Sequence, residues 1–183
     1  MKKILMTIML MLVFNSAAFS QWYLGGTGSL GFNSHYPELS LEPTAGYEFN
    51  DKIALQFGAG FLTTFTSIEG TSQLWARYTP WHNDIVYIDL LGGGDIIFGD
   101  RISTLNLGIR PQLRFRVHPQ VDFSVYAGLF GATYYSYYTY VDGQNYQMKS
   151  YWAPVFGVTG NRADDTSNAS FGTSLGFSVV YRF

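Results

Sequence analysis

Residues 175–183 read LGFSVVYRF, and Leu175, Phe177, Val179, Tyr181 and Phe183 fall on alternate positions. A period of two marks a strand whose two faces meet different surroundings. Between them stand Gly176, Ser178 and Arg182, with Val180 as the one apolar member of the opposite face. The last residue, Phe183, is aromatic, although a chain end in water normally frays and favours polar groups. What the stretch means depends on which solvent its apolar face was built for.

Working back from that strand, the same period recurs seven times. Trp22, Leu24, Gly26, Gly28, Leu30 and Phe32 share one phase, and Leu39, Leu41, Pro43, Ala45, Tyr47 and Phe49 the next. Ile53, Leu55, Phe57, Ala59 and Phe61 follow, then a looser run with Leu74, Ala76 and Tyr78. Val86 to Phe98 and Leu105 to Val117 are two longer runs. The seventh carries Val121, Phe123, Val125, Ala127 and Leu129, and the eighth begins at Phe171. These runs exceed the usual strand of about 5–6 residues. They suit a tilted membrane-crossing strand, which needs about 9–11.

The connections alternate as well. Asn50-Asp51, His82-Asn83-Asp84 and His118-Pro119-Gln120 are tight turns, while residues 33–38, 62–72 and 134–168 read as longer polar or aromatic loops. Short turns at one end and long loops at the other are the rhythm of a transmembrane β-barrel. The segment GDRIS is a short exception at the long-loop end.

The front of the chain has a different character. Met1-Lys2-Lys3 precedes an apolar stretch from Ile4 to Phe14, and Ala18 and Ser20 supply small residues before Gln21. This is the pattern of a secretory signal peptide cleaved after Ser20, and the apolar stretch is too short to span a bilayer as a helix. The expected organisation is a signal peptide over 1–20 and one barrel domain over 21–183. Without Lys2 and Lys3, nine basic residues face thirteen acidic ones, which excludes a nucleic-acid partner. Cysteine is absent, so neither disulfides nor a lipid-anchored cysteine is available. Aromatic residues make up 18% and charged ones only 13%, about half the charge of an ordinary soluble domain.

Alternation alone leaves open which face points outward, because a soluble lipocalin-type barrel also alternates. The polar phase decides for lipid outside. It is small and hydroxylated (Thr27, Ser29, Thr44, Gly46, Gly58, Gly60, Ser124, Ser178) rather than rich in long lysines and glutamates. Its charges are Glu42, Glu48, Arg77, Asp89, Asp95, Arg110, Arg114, Arg116, Asp122 and Arg182, five acids and five arginines. Enclosed charges are tolerable only when paired, and the planar arginine fork suits several carboxylates at once. The expectation is a lumenal ion-pair network inside an all-β, eight-stranded antiparallel barrel.

The opening hairpin segments, WYLGGTGSLGFNS and PELSLEPTAGYEFNDKIALQFGAGF, together with the closing YRF, resemble small bacterial outer-membrane barrels of the OmpX/Ail and OmpA-barrel type. The resemblance implies both termini in the periplasm and a location in the bacterial outer membrane. It implies that Gly176, Phe177, Val179, Tyr181 and Phe183 form the strand signal read by the barrel assembly machinery. Its implied partners are outer-membrane lipid, lipopolysaccharide, and host or cell-surface proteins met through the extracellular loops. Members include adhesins, serum-resistance factors, structural proteins and porin-like proteins, so the resemblance does not select one function.

Several motifs lead nowhere. Gly26 to Gly31 fits G-x-G-x-x-G, but it lies inside a strand with no helix after it, and its glycines are better read as room for neighbouring rings. His35 beside Ser34 and Glu38 lacks the spacing of a lipid-hydrolysing triad, and His82 and His118 lie at the other end. Asp164-Asp165 reads as a solvated loop rather than a cation bridge to lipopolysaccharide, and Asn168-Ala169-Ser170 has no meaning as a sequon in a bacterial barrel. No catalytic group, metal site or cofactor is expected.

One stretch stands above this background. YYSYYTYVDGQNYQMKSYW, from Tyr134 to Trp152, is crowded with tyrosine around the hairpin signal Asp142-Gly143. It reads either as a girdle strand carried above the membrane or as an exposed edge that grips a partner through Tyr137, Tyr138, Tyr140, Tyr146, Tyr151 and Trp152. The expected function is a structural or adhesive surface barrel, with a small porin-like channel as the alternative and a lipid-modifying enzyme behind both.

Overall fold

The computed structural model describes residues 21–32, 37–63, 68–98, 102–141, 145–157 and 175–183. The expected signal peptide, Ser34, His35, Asp142-Gly143, Asp164-Asp165 and the 168–170 sequon lie outside them. Ten strands are present: β1 (Gln21–Phe32), β2 (Pro37–Glu48), β3 (Ile53–Thr63), β4 (Ile68–His82), β5 (Val86–Phe98), β6 (Ile102–His118), β7 (Val121–Ala127), β8 (Leu129–Val141), β9 (Asn145–Gly157) and β10 (Leu175–Arg182). Every pairing is antiparallel.

The ten segments make eight walls. β1 to β6 pair in sequence, β6 pairs with β7 over its last residues and with β8 over its first, and β10 bridges β7 to β1. β7 and β8 are one strand interrupted at Gly128, which has φ of 71°. β9 and β10 lie end to end along it, Gly157 opposite Leu129 and Leu175 opposite Ala127. Closure by β1–β10 pairing removes, over Tyr23 to Leu30, the open edge that a flat sheet would present.

The alternation decides the wall. Along β3 the odd residues Ile53, Leu55, Phe57, Ala59 and Phe61 are exposed and the even residues Ala54, Gln56 and Gly58 are buried. β10 repeats the pattern, with Arg182 only 3% exposed and Phe183 64% exposed. Charged and hydroxylated side chains therefore face inward, and the apolar ones coat the outside.

At the short-turn end, Asn50 Oδ1 accepts from the amides of Lys52 and Ile53, and Asn83 Oδ1 from those of Ile85 and Val86. Asparagine here supplies a side-chain acceptor that closes the turn where the ladder ends. Phe183 does not fray: its amide donates to Trp22 O, its carbonyl accepts from Gln21 Nε2, and its ring meets Tyr181 edge-on.

Three sequence expectations are corrected. The 134–168 loop is for the most part strand: β8 runs through 141 and β9 from 145 to 157, while 158–174 lies outside the described residues. The 62–72 loop shrinks likewise, since β3 reaches Thr63 and β4 starts at Ile68. Leu129 does not share the outward face of Val125 and Ala127; it is 1% exposed inside the barrel. Five residues from Tyr126 to Phe130 oppose four from Gln112 to Ile109, with Pro111, which has no amide to give the ladder, inside that gap. The extra residue, Gly128, inverts every side chain that follows, as a β-bulge does.

Candidate functional site

The interior is built differently on its two sides. β1, β2 and β3 turn Gly25, Thr27, Ser29, Thr44, Gly46, Gly58 and Gly60 inward, whereas β4 to β7 turn in Trp75, Arg77, Tyr87, Leu91, Arg114 and Tyr126. The small, hydroxylated and charged interior read from the sequence thus also holds large rings, most of them from β4 to β7. Glycine faces an aromatic ring directly across the ladder in three places. Tyr23 covers Gly46, Tyr126 covers Gly176, and on the outer face Phe177 covers Gly28, where an added Cβ would meet ring carbon at 2.7 Å. The ring over Gly28, in the glycine motif, is that of Phe177.

All ten charges of the polar phase lie on inward positions, and nine of them form ion pairs. Seven gather near the short-turn end. Arg114, 2% exposed, donates from Nε to Asp89 Oδ2 at 2.7 Å and from Nη1 to Asp122 Oδ2 at 2.8 Å. Thr79, fully buried, donates to Asp89 Oδ1 at 2.6 Å. Arg182 contacts Asp122 and, at 3.4 Å, Glu48, which also holds Arg77. Arg116 reaches Asp122 at 3.7 Å from the mouth, where it keeps 35% of its side-chain surface. Tyr87 fills the space beneath both arginines, with Arg114 at 4.2 Å and Arg116 at 4.8 Å from its ring centre.

This floor ties together walls β2, β4, β5, β6, β7 and β10. Each acid is shared by two or more arginines or by an arginine and a hydroxyl, which is what makes burial of ions tolerable. Four arginines face three carboxylates, so the cluster carries a residual positive charge toward the mouth.

Above it, Arg110 lies between the rings of Trp75 at 4.3 Å and Tyr126 at 4.5 Å and pairs with Asp95 at 3.2 Å. Asp95 also accepts from Asn106 Nδ2, whose own oxygen accepts from Thr133. Beside this layer, Trp75, Leu91, Leu129 and Val155 form an apolar cluster, each 3% exposed or less. Glu42 alone of the ten makes no ion pair among the described residues, and its Oε2 is buried without a hydrogen bond.

The hairpin residues divide. Tyr137, Tyr138 and Tyr140 lie in β8 and Tyr146 in β9, with their side chains outside the description. Tyr151 and Trp152 are exposed, and Trp152 packs on Tyr134 at 5.1 Å. Among the described residues β8 pairs with β6 up to Tyr137 and with β9 up to Val141, so residues 138–141, roughly 13 Å of strand, pair on the β9 side only. Among the described residues β9 pairs on one side only. Sequence reasoning did not find the buried rings Tyr23, Trp75, Tyr87 and Tyr126; the signal was their phase, which matches that of the charges.

No protein-family model matches the sequence, and no curated protein matches it. Architecture therefore carries the identification. The fold is that of a transmembrane β-barrel. Among the described residues no group of three or more His, Cys, Asp or Glu side chains is placed to hold a metal ion.

Proposed function

We propose that the chain is an exported outer-membrane barrel that works at the cell surface through its long hairpin, as a structural or adhesive protein rather than a channel. The observation that carries this is the filled lumen. Arg114, Asp89 and Asp122 are 0–2% exposed across the floor, and Trp75 and Leu129 add a buried apolar layer above. An eight-stranded barrel has only enough interior for side chains, so the reading assigns no solute path and no catalytic group.

In this reading lipid surrounds the wall, and the outward rings Trp22, Tyr47, Phe49, Tyr181 and Phe183 form an interfacial belt at the periplasmic end. Residues 1–20 direct export. Gly176, Phe177, Val179, Tyr181 and Phe183 are the strand that the assembly machinery recognises, and lipopolysaccharide is the surrounding lipid at the outer face. Strand β9, paired on one side only among the described residues and with Met148, Ser150, Tyr151 and Trp152 exposed, offers backbone groups and rings to a host or cell-surface protein. Lys149 and Pro154 on the same strand guard it against indiscriminate pairing.

Planar-bilayer recording on the refolded mature barrel tests this reading. Silence is expected; a steady ohmic current would replace it with the small porin.

A further inference from the structure

The outer wall is not evenly covered. Where β6 passes β7 it carries an apolar groove of about 310 Å³, lined by Ile88, Pro111, Leu113, Val125, Ala127 and Leu175. The sequence accounts for the gap. Pro111 and Ala127 are short outward residues just past the last β6–β7 pair, Gln112 with Tyr126. Gly128 then swings Leu129 into the barrel, so the outward row loses the side chain that would have followed Ala127. Gln112 and Tyr126 are buried toward the lumen, which leaves no polar side chain on the groove's outer side.

Inside a bilayer, covering an apolar wall brings no hydrophobic gain, because lipid tails are as apolar as leucine. Packing decides instead. A gap forfeits the dispersion contacts of the atoms that line it, and a flexible chain laid along its floor recovers them. Val125 and Ala127 lie four and six residues above Val121, the partner of Tyr181 in the lower ring belt. At about 3.4 Å per residue and a tilt of about 40°, the groove sits roughly 10–15 Å above that belt, in the nearer half of an apolar band about 25 Å tall and reaching its middle. The adjoining segment 158–174 is chemically unsuited to fill it. That segment carries Arg162, Asp164, Asp165 and Asn168, with only Val158 and Phe171 as large apolar residues.

We propose that this groove seats one acyl chain of a phospholipid from the leaflet at the short-turn end, which rests on the reading that the wall crosses the outer membrane. The groove is continuous with the apolar wall, so in that reading hydrocarbon is what reaches it. A chain entering from the short-turn side meets the groove along its length. Lipopolysaccharide, confined to the long-hairpin side, would meet it only with its chain ends. The lining offers no outward polar side chain for a head group, so the lipid is held by its chain and chosen by shape rather than by charge.

The test refolds the whole mature barrel into bilayers of phosphatidylethanolamine and phosphatidylglycerol, extracts it in mild detergent and counts retained lipids by native mass spectrometry. The unaltered protein should keep a single phospholipid through extraction. Ala127→Leu, which fills the groove from an exposed position, should lose it, while Ala59→Leu, exposed on β3 away from the groove, should keep it. In crystals grown with phosphatidylglycerol brominated at mid-chain, an anomalous bromine signal should lie between Pro111 and Ala127. Absence of retained lipid, equal retention in the two variants, or a groove occupied by residues of 158–174 overturns the site. Retention of lipopolysaccharide in place of phospholipid, when both are supplied, overturns it as well. A barrel that stays folded in plain buffer and never enters the bilayers defeats the outer-membrane reading and the groove with it, whereas one that inserts but keeps no lipid defeats the groove alone.

Discussion

The floor of the barrel and its glycine–threonine wall solve the same problem in opposite ways. Near the short turns, long arginines from β4, β6 and β10 reach across the lumen and satisfy Glu48, Asp89 and Asp122 directly. Farther along β1 to β3 the small side chains bond at most to a near neighbour, as Ser29 does to Ser40, and the hydroxyls of Thr27 and Thr44 have no hydrogen-bond partner among the described residues. Both faces read as polar, but only large residues convert polarity into cross-links. The small side is still necessary, since Gly46 and Gly176 are where the rings of Tyr23 and Tyr126 lie.

The contrast is broken or sharpened most strongly at Arg114. Arg114→Met leaves Asp89 and Asp122 buried short of their main partner, and urea unfolding should show a loss of about 3–5 kcal/mol. Thr44→Val on the opposite wall removes a hydroxyl that has no hydrogen-bond partner among the described residues and should change stability by less than about 1 kcal/mol. Equal losses at the two sites would erase the distinction between the walls.

Leu129→Ala comes next, with an expected loss of about 2–5 kcal/mol for a buried leucine. Val125→Ala, four residues earlier and outward, should cost clearly less in the same assay. The reverse order would mean that Gly128 does not invert the strand.

Gly46→Ala should cost about 1–3 kcal/mol by driving a methyl group into the Tyr23 ring. A smaller, ring-free partner should relieve it: in the Tyr23→Leu background the same change should be milder, and additivity of the two would show that ring and glycine are independent. The smallest effect on stability belongs to the hairpin. Joining Tyr137 to Lys149, which face each other, through Asn-Gly removes the stretch of β8 that pairs on the β9 side only among the described residues. Urea unfolding should be nearly unchanged, while binding to target cells should fall to background; undiminished binding would move the interaction site elsewhere.

Much of this was legible in the chain, for identifiable reasons. A charge in phase with glycine and serine can only face the enclosed side of a lipid-coated strand, so all ten inward positions followed from parity. The partners did not follow, because pairing Arg114 with Asp122 needs the bend at 119–120 and the register of β6 on β7. Leu129 was misplaced since one inserted glycine reverses parity with no change in composition. β8 and β9 read as loop because Tyr, Ser and Thr populate both of their faces, leaving no contrast of polarity to detect. The rings of Tyr23, Trp75, Tyr87 and Tyr126 suit either face, and only their phase relative to Arg77 and Asp89 distinguished them.

Cysteine is absent from the sequence, so single nitroxide labels can be placed without background. Leu55→Cys, Gln56→Cys, Phe57→Cys and Gly58→Cys, each labelled in lipid bilayers, sample both faces of β3 over one repeat. Leu55 and Phe57 labels should collide freely with oxygen dissolved in the hydrocarbon, and Gln56 and Gly58 labels should be shielded from it. The opposite alternation, or none, would contradict a wall whose apolar face meets lipid and whose charges are enclosed.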